Sequence, residues 1–407
     1  MTNISTLFLQ SLGAAMKNEK VNWEQGISSD DLSAVLRMAQ AHQVLPMVFE
    51  AVYGTPGTDP QILGAFRLQT MQLVAIQTQK SAEFLPLLDA LRAAGAKPLV
   101  VKGLVCRKLY PHPDFRLSSD EDLLIEPENT ALCHQILTEF GLTTLDPDSD
   151  AYELGYHRPD SFQYIELHRS LFPTQSDAYG DLNRFFRDVH SRSVEQDGIP
   201  TMSPTDHMLY LILHAFKHFL HSGFGIRQVC DLVAFSNVHG KDIDWLWVLD
   251  CCRQVRAEQF AAGLFRIGRK FLGLSLEQSH YPTQWQAIYV EEEALLADIL
   301  SAGVYGGSDM SRKHSSKITL EAVSAQNRGD NASHGLLKSV FPSARELESR
   351  YPYLKSKPLL LPLAWTDRLI NYQKELARSR ANSPAESIRI GNTRLELLRK
   401  YGILDKK

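Results

Sequence analysis

Apolar side chains recur three and four residues apart through residues 2–96, as at Leu32, Val35, Leu36 and Ala39, and this spacing predicts helices. Ser29 before Asp30 and Asp31 marks one helix start, because its hydroxyl caps free N–H groups and the acids suit the positive helix end. A long helix over about 61–93, with room for a break, is ended by Gly95. From residue 98 to about residue 170 the period shifts towards two. A short apolar run at 98–101 leads into Lys102-Gly103, one or two helical turns at 105–110 and an acidic strand at Asp120-Glu121-Asp122. Residues 128–140 read as a helix closed by Gly141, and 152–157 with 162–169 as a hairpin turning near Pro159-Asp160. Helical spacing returns after Ser203-Pro204, where the serine caps and the proline's missing N–H does no harm. Helices are predicted from there to about residue 221 and at 225–235, 245–254 and 258–271. Residues 303–335 are polar and glycine-containing and predict a long loop. The tail has helical patterns at 344–348, 365–380 and 394–398, with Ser383-Pro384 as a break. The whole predicts an α+β protein: a helical N-terminal region (1–96), a small mixed-sheet core (97–202), a helical domain packing on it (203–300), then a polar loop and helical tail (301–407).

Composition narrows the class. The chain has 407 residues, 44% hydrophobic and 22% charged, enough for two or three domains with a substantial core. A formal net charge of -4 argues against general nucleic-acid binding, which relies on basic surface. The five cysteines are odd in number and lack CxxC spacing, which speaks against a disulfide framework or a zinc site and suits a reducing compartment. No apolar run approaches the roughly 18 residues that span a bilayer, and the first twenty residues lack an early positive cluster. A soluble, cytoplasmic protein without a membrane partner is expected.

Chemistry concentrates in residues 102–125, KGLVCRKLYPHPDFRLSSDEDLLI. On a strand, Asp120 and Asp122 project to one face with Cα atoms ~7 Å apart. Two carboxylates at that reach hold Mg²⁺, which prefers oxygen ligands and shares its remaining positions with phosphates and water. Downstream, the alternation Tyr164, Glu166, His168 against Ile165, Leu167 sets a third carboxylate, Glu166, on a polar strand face.

A glycine turn at Gly103, an Asp-x-Asp strand and a later strand-borne Glu166 resemble the nucleotidyltransferase superfamily, and within it the branch called uncharacterised nucleotidyltransferases. Tyr110-Pro111, Arg116 and the later HAFKH and GIRQVCDLV stretches extend the resemblance over most of the chain. It implies a nucleotidyltransferase-like core in which Asp120, Asp122 and Glu166 are catalytic and bind Mg²⁺ or Mn²⁺. The implied reaction is attack of an acceptor hydroxyl, on a small molecule or a protein, on the α-phosphate of a nucleoside triphosphate such as ATP, with release of pyrophosphate. Lys102, Gly103 and Arg116 are the expected nucleotide-binding residues, with Lys108 a further cation at hand. In two places the chain departs from the pattern. Gly103-Leu104 replaces the usual Gly-Ser or Gly-Gly, leaving phosphate contact to backbone N–H groups and Lys102. Glu121 takes a usually apolar position, on a solvated face or on a strand less buried than the family's. These departures keep a rival open: a nucleotide-binding or interaction protein that kept the fold and lost turnover.

On the predicted helix after Pro204, His207, His214, His218 and His221 fall within roughly 60° of one another at ~100° per residue. HAFKH lacks the glutamate of HExxH, so the stripe reads as a polar face beside the cleft, with Lys217 contacting phosphate or acceptor, or else as a solvated face. Arg227 and Asp231 are spaced as a structural i, i+4 pair.

Overall fold

A computed structural model describes residues 2–24, 26–146, 151–174, 176–303, 310–329, 344–347, 351–367 and 384–405. The chain divides into two compact units. One comprises residues 1–175, 181–216 and 225–300, and the other 176–180, 217–224 and 301–407.

The first unit opens with four helices, α1 (Asn3–Met16), α2 (Ser29–Ala41), α3 (Leu45–Val52) and the 34-residue α4 (Pro60–Ala93). Asp59 caps α4 by accepting the Gln61 N–H at 2.8 Å, and Pro60 occupies the first turn, where no donor is needed. Pro86 lies inside α4 without ending it. The core follows as β1 (Leu99–Val101), the short α5 (Gly103–Arg107), β2 (Glu121–Leu124), α6 (Thr130–Glu139), β3 (Glu153–His157), β4 (Tyr164–His168), β5 (Val194–Gln196) and β6 (Ile199–Thr201).

These strands form one mixed sheet in the order β3-β4-β2-β1-β6-β5. β2 runs antiparallel to β1 and parallel to β4, with Asp122 opposite Val101 on one side and Glu166 on the other. Alternation then sorts the side chains between two faces. Val100, Leu123, Ile125, Ile165 and Leu167 join Phe84, Leu87, Leu88 and Leu91 of α4 and Cys133, Ile136 and Leu137 of α6 in one buried apolar cluster. The opposite parity, Asp122, Leu124, Glu166 and His168, belongs to the other face.

Helix α7 (Pro204–Leu220) supplies residues to that other face, followed by α8 (Arg227–His239), α9 (Trp245–Gln254), α10 (Glu258–Phe271) and the shorter α11 (Thr283–Gln286) and α12 (Glu292–Ala302). Its start is fixed twice: Ser203 Oγ accepts the Asp206 N–H at 3.2 Å, and Arg192 pairs with the Asp206 carboxylate at 2.8 Å. The expected α+β architecture with helical flanks is the observed one.

In the second unit, α13 (Met310–Asn327) packs against the helix Pro384–Lys400. Most of the segment expected to be a loop at 303–335 is therefore helical, and its remainder, 304–309 and 330–335, lies outside the described residues. Arg394 donates to the carbonyls of Phe219 and His221, and Thr319 Oγ1 to that of Leu220 at 2.8 Å. The predicted helix at 365–380 falls largely outside the described residues. All five cysteines are buried free thiols. Among the described residues, no helix is long and apolar enough to cross a membrane.

Candidate active site

The site begins where β1 ends. Lys102 adopts φ 55° and ψ -112°, a backbone conformation that costs a side-chain-bearing residue energy. His207 of α7 holds it there, its Nε2 accepting the Lys102 N–H at 3.1 Å. That bond requires the imidazole proton on Nδ1, which lies 3.4 Å from Thr201 Oγ1, while the threonine hydroxyl donates to the Val100 carbonyl at 2.7 Å. Burial pushes the His207 pKa down to about 3, with nearby His239 acting in the same direction, so the ring stays a neutral acceptor at neutral pH. At the next residue, Gly103, a Cβ would overlap Glu121 Oε2. Glycine is demanded here by close approach and by a φ of 22°.

Beside this turn the carboxylates of β2 and β4 converge. Asp122 is 2% exposed and makes two ionic contacts: Oδ2 lies 3.0 Å from Lys102 Nζ, and Oδ1 lies 3.0 Å from His168 Nε2. The same His168 nitrogen is 3.6 Å from Glu166 Oε2, and its Nδ1 is 3.8 Å from Glu153 Oε2. Ligand atoms of Asp122, Glu166 and His168 all fall within 4.8 Å of one another. Lys102 Nζ also reaches His214 Nε2 at 3.2 Å and stands 5.9 Å from the centre of the Tyr210 ring. Asp120, half-buried just ahead of β2, acts electrostatically on Lys102, Glu166 and Tyr210.

Charge sets the protonation states. Burial works against ionised Asp122, yet Lys102 and then His168 overcome it and hold the carboxyl well below the usual range. His168 is likewise opposed by burial, but hydrogen bonds to Asp122 and Glu166 lift its pKa to about 9. Lys102 is raised in the same way, chiefly by Asp122. Glu166 moves in the opposite sense: burial raises its pKa, and the charges of Asp122 and Asp120 reinforce the rise against the His168 hydrogen bond. Two neighbouring carboxylates thus acquire different proton affinities.

A family model described as uncharacterised nucleotidyltransferase matches residues 28–273, from α2 through α10. The chain belongs to the uncharacterised nucleotidyltransferase family. Among curated proteins and solved structures, none matches it. Family membership supports a general role in nucleotidyl transfer, and the buried Asp122–Glu166–His168 cluster lies inside the matched span.

Other residues of the family pattern have different surroundings in this chain. Arg116 is buried and forms a two-pronged pair with Asp231, Nε to Oδ1 at 3.0 Å and Nη2 to Oδ2 at 2.8 Å, and Tyr110 adds a hydrogen bond at 2.8 Å. Tyr110, Arg116 and Asp231 therefore tie the segment before β2 to α8. The partner of Asp231 is Arg116, while the Arg227 guanidinium donates to the Leu117 carbonyl. Lys108 extends to the Asp197 carbonyl. Lys217 and His218 belong to the second unit, the boundary falling within α7.

Glu121 matches neither expectation. It is fully buried on a buried strand, neutralised by Arg107 and accepting the Leu104 N–H at 3.0 Å. Its odd parity in β2 turns it away from Asp120 and Asp122, towards α4. The Leu104 N–H, one of the backbone donors expected near phosphate, is thereby occupied.

Sequence reasoning gives His168 and Tyr210 no site role, whereas His207 and His214 belong to the stripe expected beside the cleft. His168 shares the parity of Glu166, so the alternation carried its signal. His207 and His214 were legible as members of a stripe, but nothing local to α7 connects them to Lys102, more than one hundred positions earlier.

Proposed function

We propose that this protein is a metal-dependent nucleotidyltransferase that moves a nucleoside monophosphate from a nucleoside triphosphate to an acceptor hydroxyl. The observation that supports this most is Asp122 facing Glu166 across adjacent parallel strands, with His168 and Lys102 on the same side. Donor atoms within 4.8 Å of one another suit one divalent cation. Asp122 and Glu166 would hold it, with Asp120 at the half-buried rim and His168 joining once deprotonated. An imidazole in the set suits Mn²⁺ better than Mg²⁺, which prefers oxygen. Such an ion would neutralise triphosphate charge and favour ionisation of the attacking hydroxyl.

The chain's own groups have separable tasks. Lys102 carries a buried positive charge on a flexible stem and can turn from Asp122 to a phosphate oxygen. Glu166, whose carboxyl is made more basic than usual by burial and by the neighbouring acids, is the group that would orient the attacking hydroxyl or take its proton. His168 holds both carboxylates in place. Glu121, directed towards α4, leaves this chemistry untouched and so no longer argues for a degenerate site.

One observation favours the rival reading of a binding protein without turnover: Lys102 already occupies Asp122, a built-in counter-ion for the site. Titration calorimetry with ATP and Mn²⁺, combined with pyrophosphate release in the presence of candidate acceptors, separates the two. For the enzyme, Asp120→Asn with Asp122→Asn abolishes the metal enhancement of ATP binding. Glu166→Gln lowers turnover by orders of magnitude, while its amide oxygen can still ligate the ion, so ATP affinity changes by less than about tenfold, ~1.4 kcal/mol. Metal enhancement that persists in the double variant refutes the metal assignment, and full turnover in Glu166→Gln refutes the base.

A further inference from the structure

The three peptide groups ahead of Asp120 are held by side chains. Arg227 of α8 donates to the Leu117 carbonyl. Gln77 of α4 accepts the Ser118 N–H on its Oε1 at 2.7 Å. Lys80, one turn further along α4, donates from Nζ to the carbonyls of Ser118 and Ser119, each at 2.8 Å. Lys80 is only 3% exposed and Gln77 2%.

A buried ammonium is costly, and its usual remedy is a carboxylate partner. Lys80 does otherwise: its hydrogen bonds go to two successive peptide oxygens, while Glu121, an acid of the same sheet face, is committed to Arg107. Burial pushes the Lys80 pKa down, against the pull of Glu121 and Asp120. An apolar residue of the same length would avoid the cost of burying the ammonium but would leave the Ser118 and Ser119 carbonyls without this donor. The effect of the lysine is geometric. Two carbonyls drawn to one nitrogen fix the direction of the chain at Ser119, the residue that aims Asp120.

We propose that Lys80 is a positioning residue for the reactive face: by clamping the Ser118 and Ser119 carbonyls it keeps the Asp120 carboxylate beside Asp122 and Glu166. This rests on the metal role proposed above for Asp120, and the experiment separates the two ideas.

Hydrogen exchange of the full-length protein comes first, because it needs no metal. Lys80→Met should speed exchange of the peptide covering residues 115–122 by about tenfold or more, with β1 and β4 protected as in the wild type. The second readout is Mn²⁺ affinity, which should fall by about tenfold in Lys80→Met and in Asp120→Asn, with no further loss when the two are combined. Additive losses in the double variant, or wild-type exchange together with wild-type affinity in Lys80→Met, overturn the proposal. Should Lys80→Met not fold, Lys80→Gln, whose shorter amide cannot hold both carbonyls, carries the same test: faster exchange of 115–122 supports the clamp, and unchanged exchange refutes it. If the wild type binds no Mn²⁺, the metal reading fails, and Lys80 is judged by exchange alone.

Discussion

Lys102 Nζ stands 3.0 Å from Asp122 Oδ2, joining the strained end of β1 to the middle of the acidic strand. Asp122 is nearly inaccessible and Lys102 is 15% exposed, so little solvent screens the pair. Removing one partner leaves the other charge buried and uncompensated. Lys102→Met should therefore destabilise the metal-free protein by about 3 kcal/mol, read by urea denaturation, with Mn²⁺ restoring part of the loss. A loss that Mn²⁺ leaves unchanged would mean that lysine and metal do not share Asp122.

His168 predicts a pH profile. Its pKa rises from 6.5 to about 9 on folding, so the folded state binds the proton more tightly than the unfolded chain. That contribution is fully present below pH 6.5 and is lost as pH rises through 9, an amplitude of about 3 kcal/mol at 1.36 kcal/mol per unit. Thermal melts of metal-free protein between pH 6 and 10 should show this decline, and His168→Gln should flatten it. Because a ligating imidazole must first lose its proton, Mn²⁺ affinity should climb over the same interval. A wild-type melting curve independent of pH would contradict the His168 assignment.

Gly103 and Glu121 predict an effect on folding with none on chemistry. Gly103→Ala puts a methyl group into Glu121 Oε2 and should cost about 1–3 kcal/mol. Glu121→Gln leaves Arg107 buried without its counter-charge, a loss of about 3–5 kcal/mol. Folded Glu121→Gln protein should nevertheless bind Mn²⁺ like the wild type, measured by calorimetry below its unfolding temperature. Loss of metal binding from a folded variant would return Glu121 to the site.

Much of this was legible because alternation along a strand is a local signal. It set Glu166 on a polar face, which strand pairing brings opposite Asp122, and the hairpin of β3 and β4 lies where its turn residues implied, whereas Asp120 stands just ahead of β2. What stayed hidden depends on distant partners. Glu121 looked solvated or weakly buried because Arg107, which neutralises it, comes from the preceding helix rather than from its own strand. Arg227 and Asp231 had the spacing of a pair, yet Arg116 is placed to grip the carboxylate with two nitrogens. Helix α13 escaped notice for another reason. Its buried positions include Ser315 and Thr319, whose hydroxyls donate to carbonyls of Arg312 and Leu220, so the apolar periodicity that announces a helix is diluted.

The opposite parities of Glu121 and Asp122 also guard the alignment of the sheet. A slip of β2 by one residue against its neighbours would exchange their environments, directing Asp120 and Asp122 into the apolar layer beneath α4 and swinging Glu121 out to the histidines. Arg107 can neutralise one acid there, and the second would be stranded in hydrocarbon. Misthreading is thus punished by electrostatics as well as by packing, so the residues that carry the chemistry also proofread the strand on which they sit.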